Sequence, residues 1–200
     1  MYPTGAGVYD ARMFAAAHVF TFKAGLFAKL AHDLRLRVRR FEITLEQGRL
    51  NAWFGADSLL VEGVMRGGTL DVATLSEHDK QRIHATIQGD ILDSANYARI
   101  EFTGAARVVG PNQLHVTGSL RLHGREQRLE FDAQRDGQTL RLGVEFAPSR
   151  FGIEPYKALA GAIRLQDRVL VELALELGDA EPGVLLDNAQ PVCFRPIESS

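Results

Sequence analysis

The sequence predicts an all-β fold: an antiparallel barrel of about eight strands, with one inserted amphipathic helix and a short late helix. Three observations predict it. Apolar and polar residues alternate in segment after segment, most plainly in Arg99 to Val108 (RIEFTGAARV) and Gln113 to Leu122 (QLHVTGSLRL). The connections between these segments are mostly too short to hold helices. One stretch, SEHDKQRIHATIQGDIL, abandons period two for isoleucines four apart. Alternation gives each strand one wet and one dry face, and so long a meander hides its dry face most economically by closing on itself.

The elements follow in order. A first strand is expected over about Ala16 to Lys23, with Val19 or Phe20, and Phe22, pointing inward. Ala24 to His32 reads as a turn or short helical crossing. Asp33 to Glu46 is the longest strand; its apolar set runs Leu34, Leu36, Val38 and then shifts phase to Phe41, Ile43, Leu45. One extra residue near Arg39–Arg40 is the mark of a β-bulge. Gln47-Gly48 supplies a tight hairpin turn. The partner strand covers about Arg49 to Glu62, with a second phase shift near Gly55 to Asp57. Ser76 to Leu92 is the amphipathic helix: Ser76 caps it, Glu77 and Asp79 favour its first turn, and Gly89 weakens its last. Four further strands carry Ile100, Phe102, Ala106 and Val108; Leu114, Val116, Leu120 and Leu122; Leu129, Phe131 and Ala133; and Leu140, Leu142, Val144 and Phe146. A last strand carries Val169 to Leu177. Between the final two, Pro155 followed by Tyr156, Leu159, Ala160 and Ile163 suits a short helix or turn. After Gly178 the pattern stops, and three prolines separate scattered apolar residues. The expected organisation is therefore one barrel domain over 8–177 and a loosely attached tail over 178–200.

Composition narrows the function. With 200 residues, 24% of them charged, and a net charge of -2, the chain lacks the basic footprint of a nucleic-acid binder. One cysteine, Cys193, rules out an internal disulfide. No basic leader with an apolar run opens the sequence, and no stretch is long and apolar enough to span a membrane. The expected compartment is the cytoplasm, with the periplasm as the alternative if a leader has been removed. Catalytic signatures are missing. The six histidines show no zinc-ligand spacing, and His78 and His84, six apart, fall on different helix faces. No Gly-x-Ser-x-Gly elbow, phosphate loop or dinucleotide fingerprint occurs. The expectation is no catalysis, no metal and no cofactor.

Several motifs, in order, resemble the YceI-like family of lipid-binding barrels, over roughly Val8 to Leu177. VYDARMFAAAHVFTFKAG is similar to that family's opening and first strand, and GRLNAWFGADSLLVEG to its second hairpin arm. DSANYARIEF, with Asp93, Tyr97, Ile100 and Phe102, is similar to its helix exit. LRLHGREQRLEFDA, with His123-Gly124, resembles its later hairpin, and PSRFGI, with Ser149, Phe151, Gly152 and Ile153, its late motif. Ala98 departs from the family's usual proline. AHDLRLRV replaces the more usual loop after the first strand, and no export signal is visible although many members are exported. The resemblance implies a hydrophobic tunnel, a long isoprenoid or isoprenoid quinone inside it, and often a homodimer.

Whether the lumen is hollow is then the functional question. Small residues in inward phase, Ala52, Gly104, Ala106, Gly118 and Ala133, point to spare volume along the axis. The expected lipid-binding wall is Phe20, Phe22, Leu36, Val38, Phe54, Phe102, Leu120, Leu122, Phe131, Leu142, Val144 and Phe146, with Phe151 and Tyr156 from the late insert. Burial of a chain against such a wall contributes about 0.8 kcal/mol per CH2. The leading expectation is non-catalytic binding, transport or storage of a long-chain apolar ligand. The alternatives are a filled barrel that recruits a protein partner through its inserts or tail, and a haem- or quinone-linked redox accessory using His18 or His32.

Overall fold

The alternation read from the sequence becomes one continuous sheet of thirteen strands among the described residues. The computed structural model describes residues 13–24, 32–158, 163–178, 181–188 and 190–197. Strand β1 (Met13–Lys23) runs up the wall, and β2 (Leu34–Val38), β3 (Phe41–Glu46), β4 (Arg49–Gly55) and β5 (Leu59–Arg66) follow, with a short β6 (Thr69–Asp71). Gln47 and Gly48 join β3 to β4 with φ of 47° and 74°, the left-handed pair of a tight hairpin, where glycine costs nothing.

The two phase shifts are one structural event. The interruption at Arg39–Arg40 faces a 3-10 turn at Ala56–Ser58. The Arg39 amide donates to the Ser58 carbonyl at 3.0 Å, and the Gly55 amide to the Arg40 carbonyl at 2.8 Å. The buried Ser58 hydroxyl donates to the Gly55 carbonyl at 2.8 Å. The expected bulge in one long strand is instead a break between two strands with different partners. β2 pairs with β1 and β5, while β3 pairs with β4 and β13 (Val192–Pro196). An extra residue shifts phase in either case, so periodicity alone does not separate a bulge from a change of neighbour.

Helix α1 (Glu77–Thr86) starts where expected, with the Ser76 side chain accepting from the Asp79 amide. Its end differs: Ile87–Ile91 form a π turn around Gly89. Four long strands then make the far wall, β7 (Arg99–Gly110), β8 (Gln113–Leu122), β9 (Arg125–Asp136) and β10 (Thr139–Phe146). Among the described residues the helical turn of the late insert falls before Pro155, not after it. Pro148–Phe151 form a 3-10 turn, and β11 (Lys157–Ala158) pairs back onto Arg164 and Ile163 at the start of β12 (Ile163–Glu176). Tyr156 and Ile163 thus sit on opposite arms of a hairpin, whose backbone bonds replace those a helix would have made. Leu159 and Ala160 lie outside the described residues, as do the first residues of the family-like opening (8–12) and most of the crossing at 25–31.

The described residues after Gly178 form packed elements and no loose tail. α2 (Pro182–Asp187) buries Pro182, Leu185 and Leu186 against β3 and β7. β13 slots between β1, to which it is parallel, and β3, to which it is antiparallel. Among the described residues, nine strands close in the order β1, β12, β10, β9, β8, β7, β4, β3, β13, and four more extend the wall. Phe194 of β13 is 1% exposed. Outside, Arg195 clamps β13 to β3 through Glu42 at 2.7 Å. Proline-punctuated sequence hid these elements because each is only five or six residues long and is held by tertiary pairing.

The family-like motifs meet at one corner. The Tyr97 ring packs on His123, 4.4 Å between centroids. Phe151, fully buried, meets Phe146 edge-on at 5.4 Å. Ser149 donates its amide to Asp167 at 2.9 Å, tying the turn to β12. These residues pin the upper rim of the barrel. Phe151→Ala is therefore expected to lower the unfolding free energy by about 3–5 kcal/mol, read as an earlier urea midpoint with an unchanged slope.

Candidate ligand-binding cavity

The inner faces of these strands enclose a cavity of about 880 Å3, toward the upper end of the ~300–1,000 Å3 usual for small-molecule sites. Its walls are aliphatic and aromatic. Its polar lining comes from one end of the barrel: Arg82 of α1, Glu154 before β11, and Gln166 and Arg168 of early β12 are exposed and form the mouth. α1 packs on β5 through polar bonds. His84 Nδ1 lies 2.8 Å from the Leu59 carbonyl, and Gln88 donates to the Asp57 carbonyl at 2.7 Å. This docking turns Ile83, Ile87 and Ile91 onto the cavity. The opposite end is packed solid, with Leu45, Leu114, Leu140 and Leu177 at most 5% exposed. The lumen is a blind pocket, hollow above and filled below.

Most of the expected wall lines this cavity. Leu36 and Val38 reach it from β2, Phe54 from β4 and Phe102 from β7; Leu120 and Leu122 come from β8 and Phe131 from β9. Leu142, Val144 and Phe146 of β10 and Tyr156 of the hairpin complete the set. Three expected residues do not line it. Phe20 and Phe22 point outward, because the inward phase of β1 falls on Val19 and Thr21. The Phe22 ring instead stacks beneath the Arg168 guanidinium at 4.3 Å, and that charge is shared with Glu145 at 2.7 Å. Phe151 is core behind the wall. The sequence reading also passed over Ile43, Leu50, Leu59 and the inner face of β12, Val169, Val171, Leu173 and Leu175. Those β12 residues alternate and were read as strand, so their apolar parity could have placed them in the wall.

The small residues work differently from the expectation. Of the five, Ala52 alone lines the cavity. Gly104 and Gly118 face each other across β7 and β8, and their side-chain space is taken by Phe102. A β-carbon on Gly104 would sit 2.9 Å from Phe102 Cε1, and one on Gly118 would overlap the same ring and the Thr103 carbonyl. The glycines let Phe102 lie flat along the wall beside Phe131, 5.7 Å between ring centroids, so the ring stays off the axis.

The YceI-like domain model matches residues 17–177. The chain belongs to the YceI-like family. Among solved structures, the YceI-like barrel is similar to BcnA of Burkholderia cenocepacia, with a TM-score of 0.57 and 15% identity over 80% of this chain and 94% of that one. It is also similar to a polyisoprenoid-binding domain from Saccharophagus degradans implicated in plant cell wall breakdown. There the TM-score is 0.54 and the identity 11%, over 82% of this chain and 94% of that one. At such identities the likeness is one of fold. No curated protein matches the sequence.

Titratable groups gather outside the YceI-like lumen. On the outer face of β1, β2 and β5, Glu62 accepts from Arg35 Nε at 2.7 Å and Arg37 Nε at 2.8 Å, and His18 lies 3.5 Å away. Burial pushes the His18 pKa below its ordinary 6.5, outweighing the pull of Glu62, and the two arginines push the same way. His18 therefore belongs to a surface ion cluster and reaches no luminal ligand. His32 does line the cavity. On β8 and β9, His115 bridges Asp132 at 2.7 Å and Glu130 at 3.1 Å, which holds the Asp132 carboxyl below the usual carboxylate range. Among the described residues no three potential ligands converge on a metal position, and no helix is long and apolar enough to cross a membrane.

Two outcomes follow from this geometry. Gly118→Ala forces Phe102 off the wall and is expected to cost about 1–3 kcal/mol, visible as a lower melting temperature. His18 sets a pH dependence. The unfolded chain takes up a proton near pH 6.5 that the folded His18 accepts only at lower pH, so stability falls as pH drops below about 6.5. His18→Gln should flatten that part of the curve in urea titrations between about pH 5 and 8.

Proposed function

We propose that the barrel binds a long-chain apolar ligand, a polyisoprenoid or isoprenoid quinone, inside its lumen, and carries or stores it without chemical change. The observation that supports this most is the blind cavity of about 880 Å3, apolar along its depth and polar at its mouth. That gradient suits an amphiphile lying tail-inward. The structural neighbour described as a polyisoprenoid-binding domain supports the same ligand class. Affinity would come from apolar burial at about 0.8 kcal/mol per CH2, so a few isoprene units reach micromolar binding after the cost of association. Length and bulk would then decide among ligands. The hollow upper lumen supports this reading over that of a filled barrel. A homodimer forms part of the reading only through the resemblance to the family.

Native mass spectrometry of freshly purified protein, followed by organic extraction, tests the proposal. The expected result is a discrete co-purifying mass of isoprenoid type, or uptake of an added prenol or quinone. A clean apo mass that takes up neither would overturn it.

A further inference from the structure

The C-terminal segment that closes the barrel lies beyond the residues matched by the family model, which end at 177. Its position in the ring is specific. Phe194 pairs on one side with Met13 of β1 and on the other with Ile43 of β3. Ile43 in turn pairs with Ala52, and both line the cavity. Alternation along β13 turns Phe194 inward with Val192, while Arg195 lies outside on Glu42. The Phe194 ring therefore lies at the level of the cavity's lower end, yet it is only 1% exposed and does not line the open volume.

The surrounding wall explains what the ring does there. Beside the lining several inward positions are small: Ala15, Ala17 and Ala133, paired with the lining residues Leu175, Leu173 and Leu142, are each 1% exposed. A barrel lined by alanine leaves room along its axis. Here Phe194, with Leu185 and Leu186 of α2, belongs to the same buried cluster as those alanines. The C-terminal segment thus adds buried apolar side chains to the core around those alanines.

We propose that the C-terminal segment is the floor of the pocket, and that Phe194 sets the longest apolar tail the barrel accepts. This rests on the lipid-binding reading above and adds a length limit to it. Replacing Phe194 by alanine removes six ring carbons, room for about one five-carbon isoprene unit.

The experiment uses the full chain and a series of all-trans prenols of increasing length, with affinity read by titration calorimetry. The unaltered protein is expected to bind more tightly with each added unit up to a limit, and more weakly beyond it. Phe194→Ala should move that limit outward by about one unit, improving the first over-long prenol by at least about tenfold. Phe194→Leu, which keeps more of the packing, should move it less, and it carries the test if the alanine variant does not fold. An unchanged limit in a variant with a cooperative melt overturns the floor. Failure of the unaltered protein to bind any prenol overturns the lipid reading and the floor with it.

Discussion

A sheet that closes must leave no strand edge unpaired, and here the edge that needs help is that of β1. Its partner on one side, β12, matches it from Ala15 to Lys23. On the other side β2 covers only His18 to Thr21, because the chain breaks at Arg39–Arg40 and β3 leaves to pair elsewhere. The lower part of β1 would then face an open seam. β13 fills it, bonded to β1 at Met13 to Ala15 and to β3 at Ile43 to Leu45. Closure, the solid lower end and the blind pocket all depend on that insertion.

The same constraint explains which parts of the molecule were readable in the sequence. Strands β7 to β10 pair with sequence neighbours over long registers, so local alternation carried all the information they needed, and ten of the expected wall residues on β2, β4 and β7 to β10 line the cavity. α1 was readable because its cap and its isoleucine spacing are local signals. What stayed hidden depends on partners far away in the chain. The parity of β1 was ambiguous because Val19, Phe20 and Phe22 are all apolar, and only its pairing with β12 settles that Val19 faces in. The late hairpin mimicked a helix because four residues cannot separate the two periods. β13 pairs with residues about 150 and 180 positions away, and no local pattern reports such a contact.

The pocket's hollowness also comes from an arrangement that composition suggested for a different reason. Small residues in inward phase were read as empty space. Gly104 and Gly118 are in fact covered, and what they provide is a place for Phe102 to lie flat. An aromatic ring standing off the wall at this level would block the axis above the floor. With the ring folded back against Phe131, apolar surface is kept and volume is kept with it. A glycine pair in adjacent strands can thus shape a cavity by where it sends a neighbouring side chain.

Polarity is distributed to match. The ionised groups with firm partners, Glu62 with its two arginines and Arg168 with Glu145, stand on the outer surface or at the rim. A charge carried deeper would lose hydration with little to replace it, so the depth of the pocket offers mainly dispersion and burial. Recognition in such a site comes from shape, and shape along a tube reduces to width and length. Width is fixed by rigid strand pairing and by Phe102 and Phe131. Length ends where the lumen stops, and under the proposed lipid reading that would place selectivity on the residues that fill the lower end.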